Sequence, residues 1–377
     1  MFNRNRSRSR RADAYEVDPK QYETSRRRFL RNAGIAAASV PFLGGLVDVL
    51  TERGAAAQSF RDESSALFAS HPAYKLNFVN AAYTNVFFTP MIYGLQDAAA
   101  LVGIPTPVLT GSLNSLTSDM VTAMNQAIAA RDDGIGVMLI DPVAFNAPTD
   151  RALNEGIPVV AYNSDVPGNN RLAYIGQNNT TAGQAAAERI VKVVPKGGLV
   201  GMVIDTPGTS NVQPRVDSAV PIFKAAGLDY EQIDGGLLAS AEITAVEAWY
   251  QGHKDVKFLY TVDNGDSLAV AALISKFNLK GKVGGSGWNI PIPVLQAVQD
   301  GNLEFTIDQQ TYLQGFVPTI QLFLYLVSGG LMKPSDTDTG LGFVTKANVA
   351  GFLAHTSRFE GTQTKAATYK PPPTILY

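Results

Sequence analysis

The segment TNVFFTP, Thr84 to Pro90, sets one amide, Asn85, beside two aromatic rings, Phe87 and Phe88. An amide both donates and accepts hydrogen bonds, and a ring offers an apolar plate, so the pair suits non-covalent contact rather than bond making. The same residue types also build a helix cap and ordinary core, and taken alone the segment reads either way. Signatures of covalent chemistry fail one by one. His71, His253 and His355 have no mutual spacing suited to a metal site and read as surface residues. GGSGW, Gly284 to Trp288, has a Gly-Ser-Gly core but ends in Trp, which breaks the nucleophile-elbow pattern. GIGVM and PKGGLVG place glycines after a helix pattern instead of opening one, so neither is a dinucleotide fingerprint, and no phosphate-binding loop occurs. With 0 Cys, disulfides, thiolate metal sites and a cysteine nucleophile are excluded. The chain reads as no enzyme, with no cofactor and no metal.

The elements that must position such side chains alternate along the chain. From about Ala73, KLNFVNAAY precedes the amphipathic PMIYGLQDAAALVG; TPVLTG precedes the helical SDMVTAMNQAIAARDD; GVMLIDP and IPVVAYNSD flank the helical NAPTDRALNEG. Continuous apolar runs between helix-length segments indicate strands buried on both faces, hence a parallel sheet. Asp141, Asn163 and Asp165 fall just past strand ends, the edge where open α/β sheets bind ligands, although Asp141 and Asp165 fit loop-holding roles. After LAYIGQNNT a second set begins: GGLVGMVIDTPG, a helix over Val216–Ala226, KFLYTVDNGD, LAVAALISKF, GKVGGSGWN and LEFTIDQQ. Two such sets in a chain of this length suggest two α/β lobes.

Ahead of the lobes, TSRRRFLRNAGIAAASVPFLGG sets arginines against an apolar run that Pro41, Gly44, Gly45 and Asp48 interrupt. The run is too short and broken for a spanning helix, and it ends at Ala55-Ala56-Ala57, so it reads as a cleavable secretory signal. Ser25-Arg26-Arg27-Arg28-Phe29-Leu30-Arg31 resembles the twin-arginine export motif, with Arg26 and Arg27 as the pair. Residues 1–57 carry 11 of the 31 Lys+Arg and 6 of the 33 Asp+Glu, leaving 20 against 27 and a net of −7. An acidic surface argues against nucleic acid as partner. Without cysteine there is no lipid attachment of that kind, and a free-floating extracytoplasmic protein is expected.

TNVFFTP follows the first strand run and opens the first helix pattern, and there it resembles the first ligand loop of periplasmic sugar-binding proteins of the ribose-binding type. In that family an Asn bonds sugar hydroxyls and two Phe flank the ring; Asn85, Phe87 and Phe88 match. The resemblance runs from about Lys75 to Lys346 with loops in the family's order. IPVVAYNSD places Asn163 and Ser164 where the family carries an Asp-Arg pair, and DTPGTSNVQPRVDSA places Gln213 at or near its Arg. Arg215 follows as either a ligand clamp or a partner of Asp217. TVDNGDS supplies Asp263, GSGWN supplies Trp288 and Asn289 where an Asp is usual, and FTIDQQ supplies Gln309 on the strand that crosses between lobes.

The resemblance implies an α/β, periplasmic-binding-protein-like type I fold: two doubly wound parallel-sheet lobes with a ligand cleft between them. The implied lobes cover 73–177 plus about 310–338, and 178–309 plus about 339–360, with a signal peptide over 1–57 and a tail over 361–377. The implied function is capture of a simple sugar or sugar alcohol for an ABC importer permease, by a monomer in the periplasm. The alternative is a sensor that presents a sugar or furanone-like signal to a chemoreceptor or sensor kinase. Amides and a hydroxyl in place of charged groups imply weaker single bonds and a small neutral, hydroxyl-rich ligand.

Overall fold

The computed structural model describes Phe68 and residues 70–236, 239–354 and 357–360. The chain divides into Met1–Ser70 and His71–Tyr377, and the second carries both sheets. The export motif with Arg26 and Arg27, and the tail over 361–377, lie outside the described residues. Among the described residues no helix is long and apolar enough to cross a membrane.

LNFVN forms β1 (Leu76–Asn80), buried at every position, as a strand covered on both faces requires. A 3-10 turn at Val86–Phe88 leads into α1 (Thr89–Val102). Then come β2 (Val108–Gly111), α2 (Thr117–Ala129), β3 (Gly134–Val137), α3 (Asn146–Asn154), β4 (Val159–Tyr162) and β5 (Tyr174–Gly176). The chain next enters a second sheet through α4 (Asn179–Ile190), β6 (Leu199–Ile204), α5 (Gln213–Ala226), β7 (Asp229–Asp234) and α6 (Ala239–Gly252). It continues with β8 (Phe258–Thr261), α7 (Asn264–Lys276), β9 (Gly284–Trp288), α8 (Ile292–Asp300) and β10 (Phe305–Asp308). α9 (Leu313–Val327) and β11 (Thr337–Asp338) return to the first sheet; β12 (Gly342–Thr345) and α10 (Val349–Ala354) belong with the second.

The sheets run β2-β1-β3-β4-β5-β11 and β7-β6-β8-β9-β10-β12, so the second repeats the first strand for strand. Every pairing is parallel except β10 with β12. These are the two doubly wound lobes that the alternating pattern predicts. The chain changes sheet three times: between Gly176 and Asn179, between Asp308 and Leu313, and between Asp338 and Gly342. One βα unit, β7 with α6, has no counterpart among the predicted elements. DYEQID is exposed at five of its six positions, because β7 is an edge strand and needs no apolar run.

Two glycines fix where α9 begins. A Cβ on Gly94 of α1 would collide with the Tyr312 carbonyl, and one on Gly315 with the Met91 carbonyl. The two helix backbones therefore touch, which anchors the first turn of α9 against α1 and holds Gln314 at the second crossing. The histidines correct the surface reading in part. His71 is half-buried, with Nε2 2.7 Å from the Val102 carbonyl, and half-buried His253 stacks on Trp249 at 4.2 Å; His355 lies outside the described residues.

Candidate functional site

The carboxyl ends of the two sheets face each other and touch. Ser164, just past β4, donates to the Leu139 carbonyl at 2.8 Å. Ser210, from the loop after β6 in the other lobe, donates to the same carbonyl at 2.6 Å and sits 2.7 Å from Ser164 Oγ. Beside these contacts a recess of about 650 Å³ lies between the lobes, lined by Asp165, Arg171 and Tyr174 on one side and by Asn179, Ser210 and Pro214 on the other. Asp165 is held by Arg171 at 2.5 Å. Asp141 accepts from the Ala144 and Val143 amides, which lower its pKa, so it serves its own loop.

Four amides run in a chain from one lobe to the other. Asn163 Nδ2 donates to Gln314 Oε1 at 2.8 Å, Gln314 Nε2 donates to Gln309 Oε1 at 3.1 Å, and Gln309 Nε2 donates to Asn289 Oδ1 at 2.6 Å. All four residues are buried. Asn163 and Asn289 have φ of 61° and 69°, a left-handed conformation that Asn tolerates better than most residues and that turns the chain sharply off each strand. Asn163, Gln309 and Asn289, singled out from the sequence, are thus brought together. Gln314 was not singled out; it lies in the first turn of a helix whose apolar face dominates its pattern.

The other predicted residues are placed differently. Trp288 has no exposed surface; its Nε1 donates to Gln177 Oε1 at 3.2 Å, and the Arg215 guanidinium lies 4.3 Å above its ring. Arg215 is buried, donating to Asn179 Oδ1 at 3.0 Å and to the Val262 carbonyl at 2.6 Å. It does not pair with Asp217, whose carboxylate instead takes Gln213 Nε2 at 2.7 Å. Gln213 Oε1 accepts from the Gly208 amide, so the Gln213 side chain ties its own loop to its helix. Asn85 is exposed and caps the 3-10 turn through the Phe87 amide. Phe88 enters the first lobe's core, with Phe87 packed edge-on against it at 4.7 Å.

At the ends of β6 and β8 a second group gathers, of which sequence reading singled out only Asp263. Asp205, Glu242 from the first turn of α6, and Asp263 and Asp266 at the start of α7 interact with one another. Asp263 caps α7 through the Gly265 amide at 2.9 Å. Among the described residues, the buried side-chain atoms without a hydrogen-bond partner all fall here: Asp205 Oδ1, Glu242 Oε2, Asn264 Oδ1 and both Asp266 oxygens. Burial, with Asp263 nearby, pushes Asp205 up to about 7. Burial, with Asp263 and Asp205, takes Glu242 to about 8 and holds Asp266 well above the usual range. Burial lowers Arg215 to about 10, against the pull of Asp263. Glu242 and Asp266 are thus acids kept largely protonated near neutrality, and Asp205 is about half so. Among the described residues no cluster of His, Asp and Glu is arranged to hold a metal ion. What the strand ends offer is an array of hydrogen-bond donors and acceptors of low charge, divided between two lobes.

Comparison with known proteins agrees with this geometry. A model of the periplasmic binding protein domain matches residues 76–329. Over 319 residues the chain is 39% identical to the xylose/arabinose-binding protein XylF of Sulfolobus acidocaldarius, covering 81% of this chain and 78% of that one. It is similar to the solved structure of an ABC-transporter solute-binding protein from Burkholderia graminis in complex with D-arabinose, with 24% identity and a TM-score of 0.68 over 74% of this chain and 98% of that one. It is also similar to AraP, an arabinose binding protein from Geobacillus stearothermophilus, with 25% identity and a TM-score of 0.63 over 74% and 99% of the respective chains.

Proposed function

The chain belongs to the periplasmic binding protein family, and from that premise we propose that it captures a simple neutral sugar or sugar alcohol, pentoses first, and presents it to the permease of an ABC importer. The observation that carries the reading is the run of four buried amides across the strand ends of both lobes. Each hydroxyl of such a ligand must lose water and regain its bonds, and an unsatisfied buried group costs about 1–3 kcal/mol. Amides answer hydroxyls because both donate and accept. A ligand held by both lobes favours the closed pair, the shape a permease can distinguish, and no bond is made or broken.

Asn163, Ser164, Asn289 and Gln309 are the contacts we place first, with Asp263 beside them. Asn85, Phe87 and Phe88 from the first lobe and Gln213, Arg215 and Trp288 from the second are the further ligand contacts of the proposal. Lobe boundaries at 177/178, 309/310 and 338/339 are supported by the three changes of sheet. Export by the twin-arginine route is supported by Ser25–Arg31, and the chain's 0 Cys supports a protein without a lipidated cysteine, acting as a monomer outside the cytoplasmic membrane.

The test is a thermal-shift screen of the purified protein against pentoses, hexoses, tetritols, pentitols and hexitols. Ligand at 100 times its Kd adds about 2.7 kcal/mol, which raises Tm by roughly 5–10 °C for lobes of this size. A shift with one of these supports the reading. A flat response across the panel refutes it.

A further inference from the structure

Asn163 and Asn289 stand at the same station of the two lobes. One follows β4 and the other β9, both are left-handed, and their backbone amides donate to Ile175 and Ile307 of the next strand. The hydrogen bonds nevertheless treat them unequally, and one backbone carbonyl decides how. Thr339 Oγ1 spends its proton on the Gln309 carbonyl at 2.8 Å, so both atoms are acceptors toward Gln314. Gln314 accordingly turns Nε2 to them, at 3.2 Å from the carbonyl and 3.4 Å from Thr339 Oγ1. Reversed, its Oε1 would face the Gln309 carbonyl, a fixed acceptor, with no proton between them. With Gln314 set, its Oε1 must receive Asn163 Nδ2, which leaves Asn163 Oδ1 without a hydrogen-bond partner among the described residues. The same Nε2 meets Gln309 Oε1, so Gln309 donates onward to Asn289 Oδ1 and leaves Asn289 Nδ2 without a hydrogen-bond partner among the described residues.

We infer that Gln314 is a positioning residue that gives the two strand-end asparagines fixed and opposite polarity, an acceptor at Asn163 and a donor at Asn289. Resting on the function proposed above, the ligand gives a hydroxyl proton to the first lobe and a hydroxyl lone pair to the second. Symmetry-related positions then read different atoms of one ligand.

The relay itself is tested without ligand, by thermal unfolding of the full chain carrying Asn163→Asp or Asn289→Asp. The two positions are 6% and 5% exposed, so the cost of a buried carboxylate is closely matched between them. Asn289→Asp keeps an acceptor toward Gln309 Nε2, whereas Asn163→Asp sets a carboxylate oxygen against Gln314 Oε1. Asn163→Asp is expected to melt on the order of 5 °C below Asn289→Asp. Equal melting, or the reverse order, overturns the inference. Adding Gln314→Met to Asn163→Asp removes the clash and should recover most of that gap, even if the single variant barely folds; a double variant no better than the single also overturns it. Because these readouts use no sugar, a failed sugar screen and a failed relay are separate results. Once a sugar binds, its monofluoro analogues, which accept but do not donate, test the ligand half. One position should lose about tenfold in affinity and another should tolerate fluorine, with that tolerance lost in Asn289→Asp. A uniform response across positions refutes the assigned polarity.

Discussion

Replacing Arg215 by Met isolates what a buried cation does beside four carboxyl groups. Met keeps most of the stem's volume but removes the head, which donates to Asn179 Oδ1 and the Val262 carbonyl and lies 4.3 Å over Trp288. Hydrogen bonds to a charged group contribute about 1.5–3 kcal/mol each, and a desolvated cation–π contact about 2 kcal/mol. These overlap, and breaking a buried ionic arrangement from one side costs about 3–5 kcal/mol, or roughly 6–20 °C in Tm. The loss should depend on pH. Asp205 at about 7 and Glu242 at about 8, with Asp266 also raised, hold protons that the unfolded chain releases near pH 4. The folded state therefore binds more protons in that window, and wild-type stability falls as pH rises through 7 and 8. At pH 5 Asp205 and Glu242 are neutral and add nothing to what Arg215→Met loses. At pH 9 Asp205 and Glu242 are ionised, and the variant has also lost the charge that opposed them. Urea unfolding at pH 5 and pH 9 measures the difference. An equal loss at both values refutes the claim that Arg215 offsets this cluster.

Asp266→Asn removes a buried acid with two unpartnered oxygens. It should flatten the fall in stability between pH 5 and pH 9, seen in urea midpoints, and a slope unchanged from wild type counts against the cluster. Replacing Arg26 and Arg27 together by Lys should leave the precursor in the cytoplasm. Fractionation reads this directly, and normal export of the variant means another secretory route.

How much was legible from sequence depends on what each residue needs from a distant part of the chain. The βα alternation, and the strand ends at Asn163, Asp263 and Asn289, are local patterns, so they stand at predicted places. β7 was invisible because an edge strand needs no apolar run. Gln314 was invisible because its partners, Asn163 and Thr339, lie 151 and 25 residues away and only the return of α9 to the first sheet joins them. Glu242 lies on α6, which no predicted element covers, and Asp266 ends the polar loop of KFLYTVDNGD, where a carboxylate ordinarily faces solvent; only their burial sets them apart. Trp288 adjoins Asn289, and the resemblance places both among the ligand residues. As the last residue of a central strand, its side chain packs into the second lobe's core beneath Arg215. Asp217 pairs with Gln213 and not with Arg215, since one turn of α5 brings Gln213 over Asp217, while Arg215 donates to Asn179 and to the Val262 carbonyl.

The glycine contact between α1 and α9 has a mechanical consequence. Its two backbones are close enough that neither helix can slide or roll without the other. The aromatic turn at Phe87 and Phe88 feeds α1, and the second crossing feeds α9, so pivot and aromatic loop are parts of one stiff lever. On the function proposed above, lobe rotation is then expected at the three short crossing segments and not between α1 and α9. A pair of dyes, one fixed anywhere on the first lobe and one on the second, should report the same closure curve wherever on each lobe they are attached.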